Sequence, residues 1–388
     1  MNEQIKIGSI IKQIRGVSYK PTDVRETDEE NAVALLRANN IQETGLNFDD
    51  LVYIDRSIVK SEQYLRAGDI LICSSSGSKN LVGKAAYIPE DLLCSFGAFC
   101  KVVRTQTVDS YYLGQYFQSP RYRQEISEAA AGANINNIRN EHIDELTIPL
   151  HSKSEQMEIV QSLLCVNKQI DYTKQQLAKL DDLVKSRFVE MFGDPVSNER
   201  EWNVETLNDV CTEIGDGLHG TPEYDDNGEY PFINGNNLIN GAIEITPATK
   251  KVNAEIYKKH YIDISANALL LSINGTLGKL AFYNGEKVML GKSACYCNFK
   301  PEINRAFVYG VMKTEAFAGF LEKSATASTI KNVGLKAIRG YKLIMPPQAL
   351  QMQFIEFSNQ VDKSKLVVQQ SLEKQETLKK SLMQQYFG

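Results

Sequence analysis

Positive charge is not in excess in this sequence, so its overall charge gives no support for nucleic-acid binding. The 388 residues include 43 Lys and Arg against 48 Asp and Glu, a formal net charge of −5. A free DNA-binding domain is often visibly basic. Any DNA contact would therefore need locally arranged Lys, Arg and Asn side chains, or phosphate contacts shared with a basic partner.

Cysteines and long apolar runs are also scarce. The seven cysteines form an odd, scattered set, which argues against a disulfide framework and fits a reducing compartment. Cys295 and Cys297 have no second pair to complete a tetrahedral zinc site, so we expect buried free thiols. There is no run of about 18 apolar residues, and the start MNEQIKIGSI lacks a secretory signal pattern. We expect a cytoplasmic protein.

Motifs for catalysis are missing as well. GSKNLVGK (77–84) resembles a phosphate-binding loop, but five residues separate Gly77 from Gly83, and Ala85 has no hydroxyl for magnesium. None of the four histidines lies in a metal-ligand or nucleophile motif. The loop GDGLHGTPEYDDNGEY (215–230) could be a hydrolytic or metal cluster, or an acidic turn loop. Both interpretations stay open.

What the sequence does contain is an internal repeat with an offset of 195 residues. Residues 156–193 align without a gap on residues 351–388, and 12 of the 38 positions are identical. Upstream, GKAAY (83–87) falls on GKLAF (278–282). A long repeated unit indicates repeated architecture, so we interpret the chain as two copies of the same structural unit.

The repeated segments predict two long helices that pair with each other. Apolar residues recur at steps of three and four, a narrow stripe of coiled-coil type that is interrupted at Thr173. We predict helices of about 35 residues, antiparallel because a whole domain lies between them. The alternative is one core helix within each domain. The predicted pairing residues are Ile159, Leu163, Val166, Ile170, Leu177, Leu180 and Val184 in the first helix, and Phe354, Val361, Val368, Leu372, Leu378 and Leu382 in the second.

The remaining sequence predicts two mixed α/β domains, at 1–148 and 201–345, with helical spacers at 149–200 and 346–388. The fold class is therefore α/β (α+β), with a pseudo-twofold arrangement of two domains and two long antiparallel helices. One amphipathic helix is expected in each domain, at about 110–128 and at 304–323. The expected strands include ALL (34–36), LVYI (51–54), DILICS (69–74), FCKVV (99–103), YPFIN (230–234), ALLLSI (268–273) and CYCNF (295–299).

Loops in both domains contain side chains suited to DNA contacts. Asn can bond adenine at two points, Arg can do so with guanine, and Ser, Thr and Lys hold phosphates. The candidates are Arg15, Tyr19, Lys20, Arg37, Asn39, Asn40, Ser76, Ser78, Lys79 and Lys84 in the first domain, and His219, Asn234, Asn236, Asn237, Asn274, Thr276 and Lys279 in the second.

Comparing the two copies helps to divide these candidates by role. A residue that recognises a base should differ between copies, whereas a framework residue should not. This favours base contacts for Arg37 with its counterpart Asn234, and for the residues around Ser76 and Asn274.

Residues that are the same in both copies are interpreted differently. Lys84 and Lys279 are better candidates for shared phosphate or scaffold contacts. Asn40 and Asn237 align at an offset of 197, in RANNI and NGNNL. For these two, a base contact and a structural role in a turn, where Asn tolerates unusual backbone angles, both stay open.

Several segments together carry a family resemblance. They are TIPLHSKSEQMEIV (147–160), LIMPPQALQMQFIEF (343–357), SLEKQETLKKSLMQQYFG (371–388) and WNVETLNDVCTEIGDGLHGTP (202–222). With two variable domains, each followed by a matching helix, the whole chain resembles a specificity subunit of a type I restriction-modification system. The first domain departs from the pattern, since it lacks the Trp and opens at IKIGSIIKQIRG.

The resemblance implies a DNA-binding protein without catalysis. Each domain would bind one half of a split, asymmetric double-stranded site in the major groove. The paired helices would set the spacer and dock two methyltransferase subunits, which bring S-adenosylmethionine. Restriction subunits would add ATP- and Mg-dependent translocation and cleavage, and no cofactor would bind to this chain.

Two other classes of function stay as alternatives. One is a scaffold in which the duplicated domains bind protein or sugar and the helices dimerise chains. The other is an enzyme built around His219, Asp225 and Asp226. A duplicated enzyme is expected to repeat its catalytic set, and GLHGTPEYDD has no equivalent near residues 20–30.

Overall fold

The chain folds into two compact units. The computed structural model describes residues 3–27, 29–42, 45–78, 81–105, 107–131 and 137–388. Unit 1 comprises Met1–Gln175 with Gln369–Gly388, and unit 2 comprises Gln176–Val368. Within the described residues, every helix is too short or too polar to span a lipid bilayer.

Unit 1 combines small sheets with short helices. Its strands are β1 (Gln4–Lys6), β2 (Ile11–Arg15), β3 (Ala32–Leu36), β4 (Ile41–Gln42), β5 (Gly45–Leu46), β6 (Val52–Asp55), β7 (Asp69–Cys73), β8 (Ala85–Tyr87), β9 (Cys94–Phe96), β10 (Cys100–Thr105) and β11 (Thr147–Pro149). Its helices are α1 (Ser110–Tyr116), α2 (Pro120–Ala131), α3 (Asn140–Asp144) and the first part of α4 (Lys153–Phe192). An antiparallel sheet has the order β2-β10-β7-β8. A second sheet has the order β6-β3-β9, with β3 parallel to β9. The strand β1 pairs with β11, and β4 with β5.

Unit 2 repeats this plan. Its strands are β12 (Asn203–Thr206), β13 (Cys211–Asp216), β14 (Tyr230–Ile233), β15 (Leu238–Ile239), β16 (Ala242–Ile243), β17 (Lys251–Val252), β18 (Ala268–Ser272), β19 (Leu280–Phe282), β20 (Met289–Leu290), β21 (Ala294–Phe299) and β22 (Lys342–Met345). Its helices are α5 (Leu207–Val210), α6 (Ala254–Lys259), α7 (Arg305–Met312), α8 (Glu315–Ser324), α9 (Leu335–Arg339) and the first part of α10 (Gln348–Phe387). The sheets have the orders β13-β21-β18-β19 and β17-β14-β20, the counterparts of those in unit 1.

The prediction of two mixed α/β units is confirmed, and the segments predicted as strands contain strands. The central strands β7 and β18 are buried at every residue. Strands that are covered on both faces appear in a sequence as continuous apolar runs, which is why DILICS and ALLLSI were recognisable.

The prediction of a single amphipathic helix in each domain is wrong, because two helices occupy each of these segments. In unit 1 the break lies at Ser119 and Pro120, where the Ser119 hydroxyl accepts from the Tyr122 N–H at 3.1 Å. In unit 2, Thr314 accepts from the Phe317 N–H at 3.4 Å and begins α8. A side chain that caps a new helix start satisfies the backbone groups left by the break.

The two long helices are 40 residues each, and their bounds differ by 195 residues, the offset of the repeat. At 1.5 Å per residue such a helix is about 60 Å long. Gly193 follows α4 with φ of 76°, and its N–H donates to Val189 O at 2.8 Å. A left-handed glycine just after the last helical residue is a common way for an α-helix to end.

In unit 1 the helices pair antiparallel. Lys174 Nζ lies 3.7 Å from Glu376 Oε1, while Leu163, which is nearer the start of α4, shares an apolar cluster with Met383 and Phe387. Residue numbers on α10 therefore rise as those on α4 fall. Thr173, which interrupts the apolar stripe, is buried, and its hydroxyl lies 3.0 Å from Gln375 Oε1.

Unit 2 shows the same direction of pairing. Lys365 Nζ lies 2.7 Å from Asp181 Oδ1, and the rings of Phe188 and Phe354 are 5.4 Å apart. Together with Phe192 these rings lie in the unit's main apolar cluster. The repeat places Phe188 and Phe192 of unit 2 at the positions of Met383 and Phe387 of unit 1.

Burial separates the predicted pairing residues into three groups. Ile159, Leu163, Val166, Ile170, Phe354 and Val361 are buried, and Leu177, Leu180, Val184, Val368, Leu372 and Leu382 are half-buried. Leu378 is a correction, since it is 47% exposed. At 3.6 residues per turn it points away from Met383 and Phe387, the buried residues that the sequence analysis missed.

The long helices also belong to the cores of the units, so the alternative of core helices holds in part. The predicted division treated each helix as a separate spacer, whereas the contacts assign part of each helix to each unit. Ile159 and Phe387 lie in the core of unit 1, and Phe192 and Phe354 lie in that of unit 2.

Candidate nucleic-acid interface

In unit 1, three loops meet at one short turn, residues 97–99, which follows β9. The Val17 N–H donates to Phe96 O at 2.7 Å, and the Gly97 N–H donates to Leu36 O at 2.9 Å. The Ser74 N–H donates to Phe99 O at 2.9 Å. The turn therefore gathers loop A (15–20), loop B (37–40) and loop C (74–78), which contain most of the side chains predicted to contact DNA.

Unit 2 has the same arrangement at residues 291–293, which follow β20. The Leu218 N–H donates to Leu290 O, and the Gly291 N–H donates to Ile233 O, both at 2.8 Å. The Ile273 N–H donates to Ser293 O at 3.1 Å. Loop A (216–220), loop B (234–237) and loop C (273–277) thus meet as in unit 1.

A glycine permits the close approach of loop A to the turn in both units. A Cβ at Gly16 would collide with the backbone of Gly97, and one at Gly217 would collide with that of Leu290. Only a residue without a side chain fits against another backbone at this distance. The shared glycine therefore fixes where the variable residues of loop A begin.

Loop A presents different chemistry in the two units. In unit 1, Arg15 and Lys20 are exposed, and Tyr19 is half-buried against Val17. In unit 2, the exposed His219 places Nε2 2.9 Å from Asp216 Oδ2. The sequence comparison did not align these loops.

Loop B of unit 1 requires a correction for Asn40. Its side chain is 1% exposed, and Oδ1 accepts from the Arg37 N–H at 2.8 Å. Its amide nitrogen donates to Asn47 O at 3.0 Å and to Asp49 O at 2.8 Å. All of its bonding capacity serves the backbone, so the structural interpretation holds for Asn40 and a base contact does not.

The other two candidates of this loop contact one carboxylate. Arg37 Nη2 lies 2.8 Å from Asp50 Oδ2, and Asn39 Nδ2 lies 3.2 Å from the same oxygen. Asn39 is exposed and Arg37 is half-buried. Arg37 therefore has its charge balanced within the unit, and its contact with DNA stays a prediction.

Loop B of unit 2 uses its asparagines in a similar way. Asn237 Oδ1 accepts from the Asn234 N–H at 3.0 Å, and Asn237 Nδ2 donates to Glu244 O at 3.0 Å, so Asn237 matches the framework role of Asn40. Asn234 Oδ1 accepts from the Ser293 hydroxyl at 3.0 Å. Asn236 is exposed.

Loop C contains Ser76 and Ser78 in the first copy, and Asn274 and Thr276 in the second. The Ser76 hydroxyl accepts from the Ser78 N–H at 3.1 Å, and Asn274 Nδ2 donates to Asn332 Oδ1 at 3.3 Å. Thr276 is exposed. Lys79 lies outside the described residues.

The two lysines predicted for phosphate contacts are both half-buried. Lys84 is half-buried and lines an 880 Å³ cavity of unit 1 together with Lys379 and Lys380 of α10. Lys279 is half-buried, and its N–H donates to the Ser272 hydroxyl at 2.8 Å. Both side chains stay predictions for phosphate binding.

Neither a metal-binding cluster nor a disulfide occurs in the described part of the chain. No group of three or more His, Cys, Asp or Glu side chains that could hold a metal ion occurs there. His219 contacts Asp216, whereas Asp225 Oδ1 accepts from the Asn227 N–H at 2.9 Å. All seven cysteines are free thiols, and Cys165 alone among them is exposed.

The outer sides of the long helices expose the same apolar residues in both copies. Met157 and its repeat counterpart Met352 are 57% and 56% exposed, and Leu183 and its counterpart Leu378 are 46% and 47% exposed. Unit 1 thus carries Met157 and Leu378, and unit 2 carries Met352 and Leu183. Burial therefore does not explain why these residues are identical in the two copies.

A family model described as the type I restriction modification DNA specificity domain matches residues 2–182 and 199–376. The chain belongs to this family. Each match covers one α/β domain and most of the long helix that follows it, in agreement with the repeat. The family resemblance stated from sequence motifs is confirmed.

Curated relatives are specificity subunits of type I restriction enzymes. That of StySPI from Salmonella potsdam is 37% identical over 180 residues, which are 46% of this chain and 39% of that protein. That of EcoKI from Escherichia coli (strain K12) is 33% identical over 229 residues, 56% of this chain and 49% of that protein. The chain therefore spans half or less of the length of these relatives.

The fold is shared with a solved structure described as "Structural basis underlying complex assembly and conformational transition of the type I R-M system". The match covers 99% of this chain and 97% of that one, with a TM-score of 0.56 and 15% sequence identity. The similarity extends over both units and both long helices.

Proposed function

We propose that this chain determines the DNA specificity of a type I restriction-modification complex. Each unit recognises one half of a bipartite, asymmetric double-stranded site, and the length of α4 and α10 sets the number of base pairs between the halves. The chain itself catalyses nothing. Methylation with S-adenosylmethionine and cleavage with ATP and Mg²⁺ take place in partner subunits.

The observation that supports this best is the repeated turn with its three loops. Both units bring loops A, B and C to the same place through equivalent backbone bonds, yet the exposed side chains differ, as Ser18 after Val17 and His219 after Leu218 illustrate. A constant framework with variable outward side chains is what recognition of two different half-sites requires, because base edges specify sequence while backbone contacts only position the protein.

The negative net charge is compatible with this role when partners are present. Affinity for DNA depends largely on phosphate neutralisation, and a complex can share that task among subunits. We propose that two methyltransferase subunits bind the outer helix surfaces that carry Met157 with Leu378 and Met352 with Leu183. An identical pair in each unit suits two copies of one partner.

Adenine methylation mapped across a genome tests the proposal. The chain is co-expressed with methyltransferase subunits of its own system in a host without other adenine methylation. We expect one bipartite motif, absent when this chain is omitted. Exchanging residues 1–148 for another such domain should change one half of the motif only.

Two outcomes would overturn the proposal. One is no methylated motif although the subunits co-purify, and the other is a change in both halves after the exchange. The scaffold alternative predicts that labelled duplex is never shifted, even with the methyltransferase present. The enzyme alternative predicts turnover by this chain alone that is lost in His219→Ala.

A further inference from the structure

The turns at residues 97–99 and 291–293 carry exposed side chains that the sequence analysis did not select. We propose that these turns contact bases directly: Phe99 contacts a thymine methyl group in the half-site of unit 1, and Lys292 contacts guanine in the half-site of unit 2. The inference rests on the proposed function and adds two specificity-determining residues to it.

The backbone of Phe99 is held firmly. Its carbonyl accepts hydrogen bonds from the Ser74 N–H at 2.9 Å, the Ser75 N–H at 3.0 Å and the Ser74 hydroxyl at 2.9 Å. The next residue, Cys100, is fully buried in β10, and its N–H donates to Gly97 O at 2.8 Å. A side chain on such a turn has a fixed starting point, as base recognition requires.

Burial does not explain the ring of Phe99. The residue is 70% exposed, although its neighbours Phe96 and Cys100 are fully buried. A single exposed apolar residue is ordinary on a protein surface. What distinguishes Phe99 is its position: its carbonyl is bonded to loop C, Val17 of loop A is bonded to Phe96 just before the turn, and Gly97 is bonded to Leu36, the residue before loop B.

Unit 2 has the same turn with a different outward side chain. The counterpart of Phe99 is Ser293, whose hydroxyl accepts from the Gly235 N–H at 2.9 Å and donates to Asn234 Oδ1 at 3.0 Å, within the unit. The exposed residue of this turn is instead the preceding one, Lys292, whose N–H donates to Leu218 O at 3.0 Å. Lys292 Nζ forms no ion pair within the described ranges of the chain.

The chemistry of the two side chains determines which bases they fit. In the major groove, thymine presents a methyl group that apolar side chains contact, and guanine presents two acceptors, O6 and N7, that Lys or Arg contacts. Phe99 has an aromatic face and no donor, so it suits thymine. Lys292 has three donors and no acceptor, so it suits guanine.

Exchange of the turn residues between units is the test. Phe99→Ser and Lys292→Ala each install the residue that the other unit has at that position. The full complex methylates a duplex library in which every base of the target is varied. We expect Phe99→Ser to lower discrimination about tenfold at one thymine of the first half-site, and Lys292→Ala to do so at one guanine of the second.

Each variant contains its own control, because the other half-site should keep its preference. Leu93→Ser, at a 94% exposed apolar residue of unit 1 away from the turn, should change neither half-site. An unchanged preference at both half-sites would overturn the inference. So would an equal loss on every sequence, which would assign Lys292 to a phosphate.

A partner contact is the competing interpretation of Phe99. It predicts that Phe99→Ser weakens co-purification with the methyltransferase and leaves base preference intact, which would also overturn the inference. Failure of the proposed function itself looks different, since the wild-type complex would then methylate no bipartite motif.

Discussion

Asp69 and Arg104 form a two-bonded ion pair across the neighbouring strands β7 and β10. Arg104 Nε lies 2.6 Å from Asp69 Oδ1, and Arg104 Nη2 lies 2.8 Å from Asp69 Oδ2. Asp69 is fully buried and also accepts from the Arg66 N–H at 2.9 Å. We predict that Asp69→Ala lowers the free energy of unfolding by about 3–5 kcal/mol, because it leaves the guanidinium unpaired in a largely buried position.

Denaturant unfolding of the purified chain measures this effect. The matched control is Glu62→Ala, which removes the partner of Lys12 in a surface pair with both side chains about half exposed. An exposed pair contributes about 0–1 kcal/mol. Equal effects of the two substitutions would contradict the prediction.

Two leucines of the long helices provide a direct comparison of buried and outer positions. Leu163 is fully buried, and Leu378 is 47% exposed. We predict that Leu163→Ala lowers the free energy of unfolding by about 2–5 kcal/mol through cavity formation, and that Leu378→Ala changes it by less than about 0.5 kcal/mol. Urea unfolding followed by circular dichroism is the measurement, and a larger effect at Leu378 would refute the assigned helix face.

The outer helix surface should matter for assembly instead. We predict that Met157→Glu combined with Leu378→Glu lowers the number of methyltransferase subunits bound per chain from two to one, because only unit 1 is altered. Native mass spectrometry of the reconstituted complex counts the subunits. The matched control is Leu93→Glu, an exposed apolar residue of the same unit. Retention of both subunits would contradict the docking assignment.

Adjacent asparagines in loop B should separate stability from recognition. Asn40→Ala removes three hydrogen bonds to Arg37, Asn47 and Asp49, so we predict a loss of about 1–3 kcal/mol in the free energy of unfolding. Asn39→Ala, at an exposed position, should leave stability unchanged. Unfolding curves of both variants test this, and a stable Asn40→Ala protein would be evidence against the framework role.

Lys101 is a buried cation whose titration should affect stability. Burial lowers its pKa to about 8, although Asp144 and Glu141 favour the charged form. Its Nζ donates to Asn140 Oδ1 at 2.8 Å and to Gln13 Oε1 at 3.1 Å. The unfolded chain keeps this proton up to about pH 10.4. Unfolding therefore takes up a proton between these values, and this group's contribution to stability rises with pH.

The comparison with Lys101→Met isolates this contribution from other groups. We predict that the free energy of unfolding of the wild type, minus that of the variant, rises by up to about 1.4 kcal/mol per pH unit from pH 8 to pH 10. Urea titrations at three pH values measure the difference. A difference that stays constant or falls would contradict the lowered pKa.

Much of the fold could be predicted because it depends on periodicity along the chain. The long helices and the central strands follow from the spacing of apolar residues, and the antiparallel pairing follows from the domain that lies between the helices. The helix break in unit 1 has a signal in the sequence, namely Pro120. The break in unit 2 has no such signal, because the cap at Thr314 depends on one hydrogen bond to its hydroxyl group. One position on the face of α10 was wrong because the apolar stripe of this helix is loose, so that spacing favoured Leu378 over Met383.

The site could be predicted less completely, since it depends on contacts between distant segments. The position of Phe99 follows from bonds that link it with Ser74 and link Gly97 with Leu36. One signal was present: Gly97 and Gly291 recur at an offset of 194 residues, each just after a short strand. Identity between copies left the role of Asn40 open between a base contact and a turn, and the framework role follows only from its buried side chain and its three bonds to the backbone.

The division of the chain has a consequence for synthesis. Unit 2 is continuous, whereas unit 1 needs Met383 and Phe387 from α10 to fill a core that begins with β1. On the ribosome, the later unit can thus complete its core first, while the earlier one keeps apolar surface open until α10 emerges. Aggregation during translation is therefore a hazard of the first half of the chain.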